Sequence, residues 1–255
     1  MANLYYREEL ADGELRPGAL VEVTGDEARH AVRVSRLRQG ERILVGDGAG
    51  TLGEGIAEHV AKDRFAVRID RVESVPAPSQ RLVLVQALAK GDRDERAVEQ
   101  ATEFGVDDIV PWQAARSVSR WDGAGGAEKA AKGVAKWTRI AREASKQSLR
   151  ARVPGVTDPA TLSDLCELAS RPDAEVVALH PRGGRRLVEW AAGDSARLAE
   201  RIVLVVGPEG GFADEELDAL EAAGAVVRVL GETVLRTSSA GPAAIAVLNA
   251  ALGRW

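Results

Sequence analysis

The spacing of apolar residues changes character near residue 75. Before it, short apolar runs at 20–23, 42–45, 51–60 and 65–72 are separated by Gly46-Asp47-Gly48 and Lys62-Asp63. That is the pattern of strands joined by turns. The stretch Pro76-Ala77-Pro78-Ser79 carries no charge and suits a linker. Beyond it, apolar runs at 82–88, 107–110, 176–180, 202–206 and 226–230 read as strands, and segments 92–104, 127–149, 185–192, 214–223 and 240–252 read as helices. Strands alternating with helices predict an α/β domain on a mostly parallel sheet covered on both faces. The expected organisation is a small β domain over 1–74 and an α/β domain over 75–255, with no internal repeat.

Two of the predicted strands end in glycine. Run 202–206 breaks into Gly207-Pro208-Glu209-Gly210-Gly211-Phe212, and run 226–230 ends at Gly231. After a short loop, Val234-Leu235-Arg236-Thr237-Ser238-Ser239-Ala240 opens an Ala-rich final helix. Glycine lacks a Cβ, adopts positive φ, and lets a ligand lie directly on main-chain groups. In an open α/β sheet, ligands bind in the crevice outside the carboxyl ends of the strands.

With 255 residues, 45% of them apolar, the chain can bury one good core and a second small one. Its single cysteine, Cys166, excludes an internal disulfide and falls in the apolar-periodic stretch 162–168, where it reads as a packed helix residue. No apolar run has membrane-spanning length and residues 1–7 lack a signal peptide's layout, so the cytoplasm is the expected compartment. Net charge is −5, yet residues 116–152 hold ten Lys/Arg against three acids, a local excess of +7. Lys129, Lys132, Lys136, Arg139 and Lys146 recur at helical spacing, opposite Val134, Trp137, Ile140, Ala141 and Ala144. This face is either a solvated helix surface or a stripe that tracks phosphates. Between 29 and 42 lie five arginines (29, 33, 36, 38, 42), one glutamate and His30.

Several chemistries find no support. There is no Walker A sequence and no Cys/His set with zinc spacing, and the three histidines are scattered, so no metal is expected. Gly46-Asp47-Gly48-Ala49-Gly50 looks like half a dinucleotide fingerprint, but it sits between strands with no helix after it and reads as a hairpin turn. Ser238 and Ser239 have no sequence-local base. Residues 122–126, rich in glycine, read as a flexible connection.

Six segments, taken together, carry a resemblance. They are 30–37 (His-Ala-Val-Arg-Val-Ser-Arg-Leu), 101–106 (Ala-Thr-Glu-Phe-Gly-Val), 143–148 (Glu-Ala-Ser-Lys-Gln-Ser) with Arg150 and Pro154, 179–181 (Leu-His-Pro), 207–211, and 235–237 (Leu-Arg-Thr). In this order and spacing the chain resembles, over nearly its whole length, the bacterial 16S ribosomal RNA uracil-N3 methyltransferases, the small-subunit methyltransferase E family of the SPOUT class. The resemblance implies a PUA-like β-barrel domain for RNA, followed by a SPOUT domain whose C-terminal strand, loop and helix thread a trefoil knot. It also implies S-adenosylmethionine as cofactor, a homodimer, and 16S rRNA in the 30S subunit as substrate.

On that basis the cofactor is expected against Leu179, His180, Val206, Gly207, Pro208, Glu209, Gly210, Gly211, Leu230, Gly231, Leu235 and Thr237, and a valine at 210 is expected to enter its volume. Methylating uridine N3 requires loss of a proton and stabilisation of the resulting imidate. Arg236 is the candidate cation for that task, with a helix-start salt bridge as its alternative, and Glu209 is a candidate orienting group or base. Arg29, Arg33, Arg36, Lys129, Lys132, Lys136 and Arg139 are the residues expected against RNA phosphates.

Three departures limit the carry-over: Ser238 replaces the family's carboxylate, Leu4 replaces an arginine before Tyr5-Tyr6, and Gln100 replaces a lysine. A ribose 2′-O-methyltransferase of the same class and a non-catalytic RNA-binding assembly factor are the alternatives.

Overall fold

A computed structural model describes residues 3–10 and 13–255. The chain divides into two compact units, Met1–Ala77 with Ser145–Val153, and Pro78–Ala144 with Pro154–Trp255.

The first unit contains β1 (Leu4–Tyr6), β2 (Leu20–Thr24), α1 (Gly25–Arg33), β3 (Arg42–Gly46), β4 (Thr51–Glu58) and β5 (Arg64–Ser74). Its five-stranded sheet has the order β1-β3-β4-β5-β2, with β1 parallel to β3 and the remaining pairs antiparallel. Alternation along β2 turns Val21 and Val23 inward, where Tyr5, Ile43, Val45, Ala57, Phe65 and Val67 complete one core. The turn after β3 is a hairpin, as its glycines suggested. The Asp47 carboxylate accepts from the N–H groups of Ala49 (2.7 Å) and Thr51 (2.9 Å).

Two elements here differ from the sequence reading. β1 is too short to show a period. Segment 25–33, within the region read as strands, is a helix that buries Ala28 and Ala31. Asp26 and Glu27 in its first turn and Arg33 in its last suit the helix dipole.

Residues 145–153 return to this unit. Tyr6 Oη donates to the Arg150 carbonyl (2.6 Å), and the Arg152 guanidinium donates to the Val75 carbonyl (2.9 Å). Gly50, at φ 122°, has no room for a Cβ because the Arg152 guanidinium occupies that place. Lys146, assigned above to the exposed stripe, is instead buried, its Nζ 3.3 Å from Glu27. An apolar site tolerates an ammonium only when it is paired.

The second unit follows with β6 (Arg81–Ala87), α2 (Arg93–Glu103), β7 (Asp108–Trp112), α3 (Gly126–Gln147), β8 (Gly155–Val156), α4 (Leu162–Ala169) and β9 (Ala174–Leu179). It continues through α5 (Leu187–Ala191), α6 (Asp194–Leu198), β10 (Arg201–Val206), α7 (Asp214–Ala222), β11 (Val226–Arg228) and α8 (Thr237–Ala251). Its six strands are all parallel, in the order β11-β9-β10-β6-β7-β8.

Successive residues of the central strands enter two separate cores. Leu82, Leu84, Ile202 and Leu204 pack with Val98, Ala101, Trp137, Ile245 and Leu248 on one face. Val83, Val85, Val203 and Val205 pack with Leu165, Leu217 and Leu220 on the other. Burial on both faces explains why these strands read as continuous apolar runs. The final helix begins at Thr237, three residues before the expected start. A Cβ on Gly241 would stand 2.8 Å from Leu84 Cδ1, so the bare glycine lets α8 lie close on β6. Among the described residues no helix is long and apolar enough to cross a membrane.

Candidate active site

Because β9, β10 and β11 run parallel, their carboxyl ends lie on one edge of the sheet, and three loops emerge there. The first carries Leu179, His180 and Pro181, the second Val206 to Phe212, and the third residues 230–237. They enclose two cavities that share walls. One, of about 350 Å³, is lined by Leu230 and Gly231. The other, of about 490 Å³, is lined by Val206, Gly207, Pro208, Glu209, Gly210, Gly211, Arg236 and Thr237. Leu179, His180 and Leu235 line both.

A buried polar bridge fixes the loops to one another. Thr237 Oγ1 donates to the Gly207 carbonyl (2.7 Å) and accepts from Gln86 Nε2 (2.9 Å), and both side chains are buried. Gln86 lies near the end of the apolar run of β6, where a lone amide was the one available signal of such an anchor. Arg116 Nη1 donates to the Gly210 carbonyl (3.2 Å). Gly211 has φ 68° and nothing within 4 Å of a Cβ position, so its glycine is required by backbone conformation. Gly210 has a different neighbourhood. A Cβ there would stand 3.2 Å from Arg116 Cβ, so the first atom of a side chain at 210 would meet Arg116.

The charges in the cavity are unequal in availability. Glu209 Oε1 accepts from Arg93 Nη1 (2.6 Å) and from the Lys90 N–H (3.0 Å). Partial burial opposes ionisation of Glu209, but hydrogen bonds from its own N–H, Arg93 and Lys90 outweigh that and hold the carboxyl below its ordinary value. Held this way, Glu209 is a weaker base than an ordinary carboxylate. Arg93 had no distinguishing sequence signal. Arg236 is exposed, sits at the N-cap of α8, and forms no ion pair among the described residues. The helix-start salt bridge considered for it is therefore not formed. His180 accepts from the Arg182 N–H through Nδ1 (3.1 Å) and its ring lies edge-on to Phe212. Burial, then the charges of Arg182 and Arg116, push its pKa below the ordinary value despite Asp214.

The residues expected against phosphates fall in two places. Lys129, Lys132, Lys136 and Arg139 are exposed on α3, with Lys132 paired to Glu128 and Lys136 to Glu95. Arg29 and Arg33 lie on α1 and Arg36 just after it; Arg29 pairs with Asp26. Among the described residues no cluster of three or more metal-ligating side chains occurs.

Comparison with known proteins places this geometry in a class. Residues 76–249 match the family model described as an RNA methyltransferase domain, and residues 23–70 match that of an RNA methyltransferase PUA domain. Ribosomal RNA small subunit methyltransferase E of Mycobacterium tuberculosis is 41% identical over 100% of this chain and 94% of its own length. A similar fold is seen in a Legionella pneumophila methyltransferase solved with bound SAM (29% identity, TM-score 0.82, 98% of each chain). The Neisseria gonorrhoeae ribosomal RNA small subunit methyltransferase E bound to S-adenosyl methionine is likewise similar (26% identity, TM-score 0.82, 98% of each chain). The fold and its two domains are those of an RNA methyltransferase with a PUA-like domain. The chain belongs to the ribosomal RNA small subunit methyltransferase E family.

The buried bridge and the histidine each lend themselves to measurement. Thr237→Val keeps the shape but leaves the Gln86 amide and the Gly207 carbonyl without the bridging hydroxyl, which should cost about 1–3 kcal/mol in urea unfolding. An unchanged midpoint would mean that the bridge is not held in solution. For His180, the unfolded chain binds the proton more tightly than the folded one. Its contribution to stability should be complete above about pH 6.5 and fall as pH drops through the lower folded value. An NMR titration midpoint for His180 at or above the ordinary value would contradict this.

Proposed function

We propose that the two cavities bind S-adenosylmethionine through Leu179, His180, Val206, Gly207, Pro208, Glu209, Gly210, Gly211, Leu230, Gly231, Leu235 and Thr237. The reaction is methylation of N3 of a uridine in the decoding region of 16S rRNA, within the assembled 30S subunit. The observation that carries this reading is a cation without an ion-pair partner among the described residues, Arg236, at the edge of a cavity built from three strand-end loops. The cavity volumes are those of ordinary cofactor pockets. The positive-φ turn at Gly211 and the open space at Gly231 suit a ligand held by main chain. When bound, the cofactor supplies an activated methyl group.

The chain's own residues supply positioning and charge. Thr237 and Gln86 hold the two loops at a fixed separation, so little reorganisation is needed at the moment of reaction. Arg236 faces the uracil and stabilises the negative charge that develops as N3 loses its proton. Glu209 keeps its loop in place through Arg93 and Lys90. Phosphates of the substrate lie against Arg29, Arg33, Arg36, Lys129, Lys132, Lys136 and Arg139. The active form is a homodimer in the cytoplasm whose C-terminal strand, loop and helix form a trefoil knot. Exposure of Val234 (79%) and Leu235 (39%) beside the cavity supports a covered apolar surface there.

Arg236→Ala should lower turnover by about 10²-fold or more with cofactor affinity little changed, the pattern of a group acting in the transition state. The assay combines purified protein, labelled S-adenosylmethionine and unmethylated small subunits, followed by digestion to nucleosides. Label in N3-methyluridine is expected; label in a 2′-O-methylated nucleoside, or none despite cofactor binding, would overturn the assignment. Replacing Lys129, Lys132 and Arg139 together with glutamine should flatten the salt dependence of RNA binding, by about 0.7–0.9 in log–log slope for each phosphate no longer neutralised. An unchanged slope would make the stripe a solvated face.

A further inference from the structure

A third cavity, of about 430 Å³, adjoins the start of α2. Arg93 lines the crevice, whereas Gly91, Asp94 and Glu95 line this cavity. The rest of its lining includes Trp121, Trp137, Arg120, Lys129, Lys132 and Lys136.

Trp121 is placed with care. Its backbone N–H donates to Gln113 Oε1 (2.7 Å), just beyond β7, and its indole packs edge-to-face on Trp137 with ring centroids 5.6 Å apart. The indole lies against α3 where Gly133 has no side chain; a Cβ there would overlap the ring. A glycine inside a long helix costs about 1 kcal/mol relative to alanine, so its presence answers a packing need, here the seat of Trp121.

The charges around the indole favour an anion. Lys129 forms no ion pair among the described residues. Lys132 pairs only with exposed Glu128, an interaction worth about 0–1 kcal/mol and readily exchanged. Lys136 pairs with Glu95, and Arg120 with Asp122, so these two are more engaged than Lys129.

We infer that this cavity takes one unpaired nucleotide of the RNA, its base against Trp121 and its phosphate against Lys129 and Lys132. The inference rests on the RNA-methylating reading above and adds a base-binding subsite beside the reacting one. An aromatic ring flanked by cations is how proteins hold single-stranded nucleic acid without reading sequence. Phosphates alone would leave the indole and its glycine seat unexplained.

The test omits the cofactor, so it is independent of turnover. The probes are a fluorescein-labelled single-stranded RNA of about ten nucleotides and a duplex of the same sequence. They are titrated against the full chain and against Trp121→Ala, Trp121→Phe and Gly133→Ala. Trp121→Ala and Gly133→Ala should each weaken single-strand binding about tenfold, Trp121→Phe should retain most of it, and duplex binding should not change. Gly133→Ala leaves the indole in the chain but displaces it, so it decides the matter if Trp121→Ala fails to fold.

No measurable single-strand binding by the unaltered protein would overturn the subsite, as would equal losses on both probes, or a phenylalanine no better than alanine. If the binding pattern holds while no methyl group reaches uridine N3, the proposed reaction fails and the subsite stands. If methyl transfer holds while the tryptophan and glycine variants bind normally, the reverse is true.

Discussion

The arrangement at the strand ends depends on one hydroxyl. Thr237 Oγ1 joins the amide of Gln86, near the end of β6, to the carbonyl of Gly207, just past β10, and itself opens α8. Three segments far apart in sequence thereby meet at a buried point, where an unpaired polar group would cost more than the bond itself contributes. The loop after β10 needs this. It contains Gly207, Gly210 and Gly211, and glycine loses more conformational entropy on ordering than any other residue. Its order comes from separate anchors: Thr237 on Gly207, Arg93 and Lys90 on Glu209, and Arg116 on Gly210.

The sheet explains why the anchors sit where they do. Its central strands are apolar on both faces, so their interiors can bind nothing polar, and polar groups collect where the strands end. Gln86 is fully buried yet lies at that boundary, close enough to the loops to find Thr237. Parallel strands put all these boundaries on one edge. The crevice therefore follows from topology, and its particular walls from the three loops.

Much of this was legible in the chain because burial leaves a simple signature. Strands covered on both faces are apolar through their central residues, so β6, β9 and β10 could be read directly, and the glycines after 206 and at 231 marked the crevice. Short or weakly apolar elements could not. β1 has three residues, and α1 buries only two alanines, too little to impose a period on its neighbours. Lys146 shares the helical spacing of the exposed lysines but turns inward because residues 145–153 join the first unit, and spacing along one helix cannot report where a helix end is buried. What a Cβ at 210 would meet was equally hidden, since its neighbour Arg116 lies 94 residues away in sequence.

The electrostatics of the crevice bear directly on the chemistry proposed for it. Arg93 and Glu209 neutralise each other, and the hydrogen bonds on Glu209 lower its basicity. Ser238, in the first turn of α8, is a weaker base than a carboxylate. What the crevice retains is Arg236, a positive charge with no ion pair among the described residues. For a weakly acidic N3–H the two strategies differ in kind. A base removes the proton at the moment of attack, whereas a fixed cation lowers the energy of the anion and lets solvent carry the proton away. The residues present favour the second, and it accounts for Glu209 being held by Arg93 while Arg236 is left free at the cavity edge.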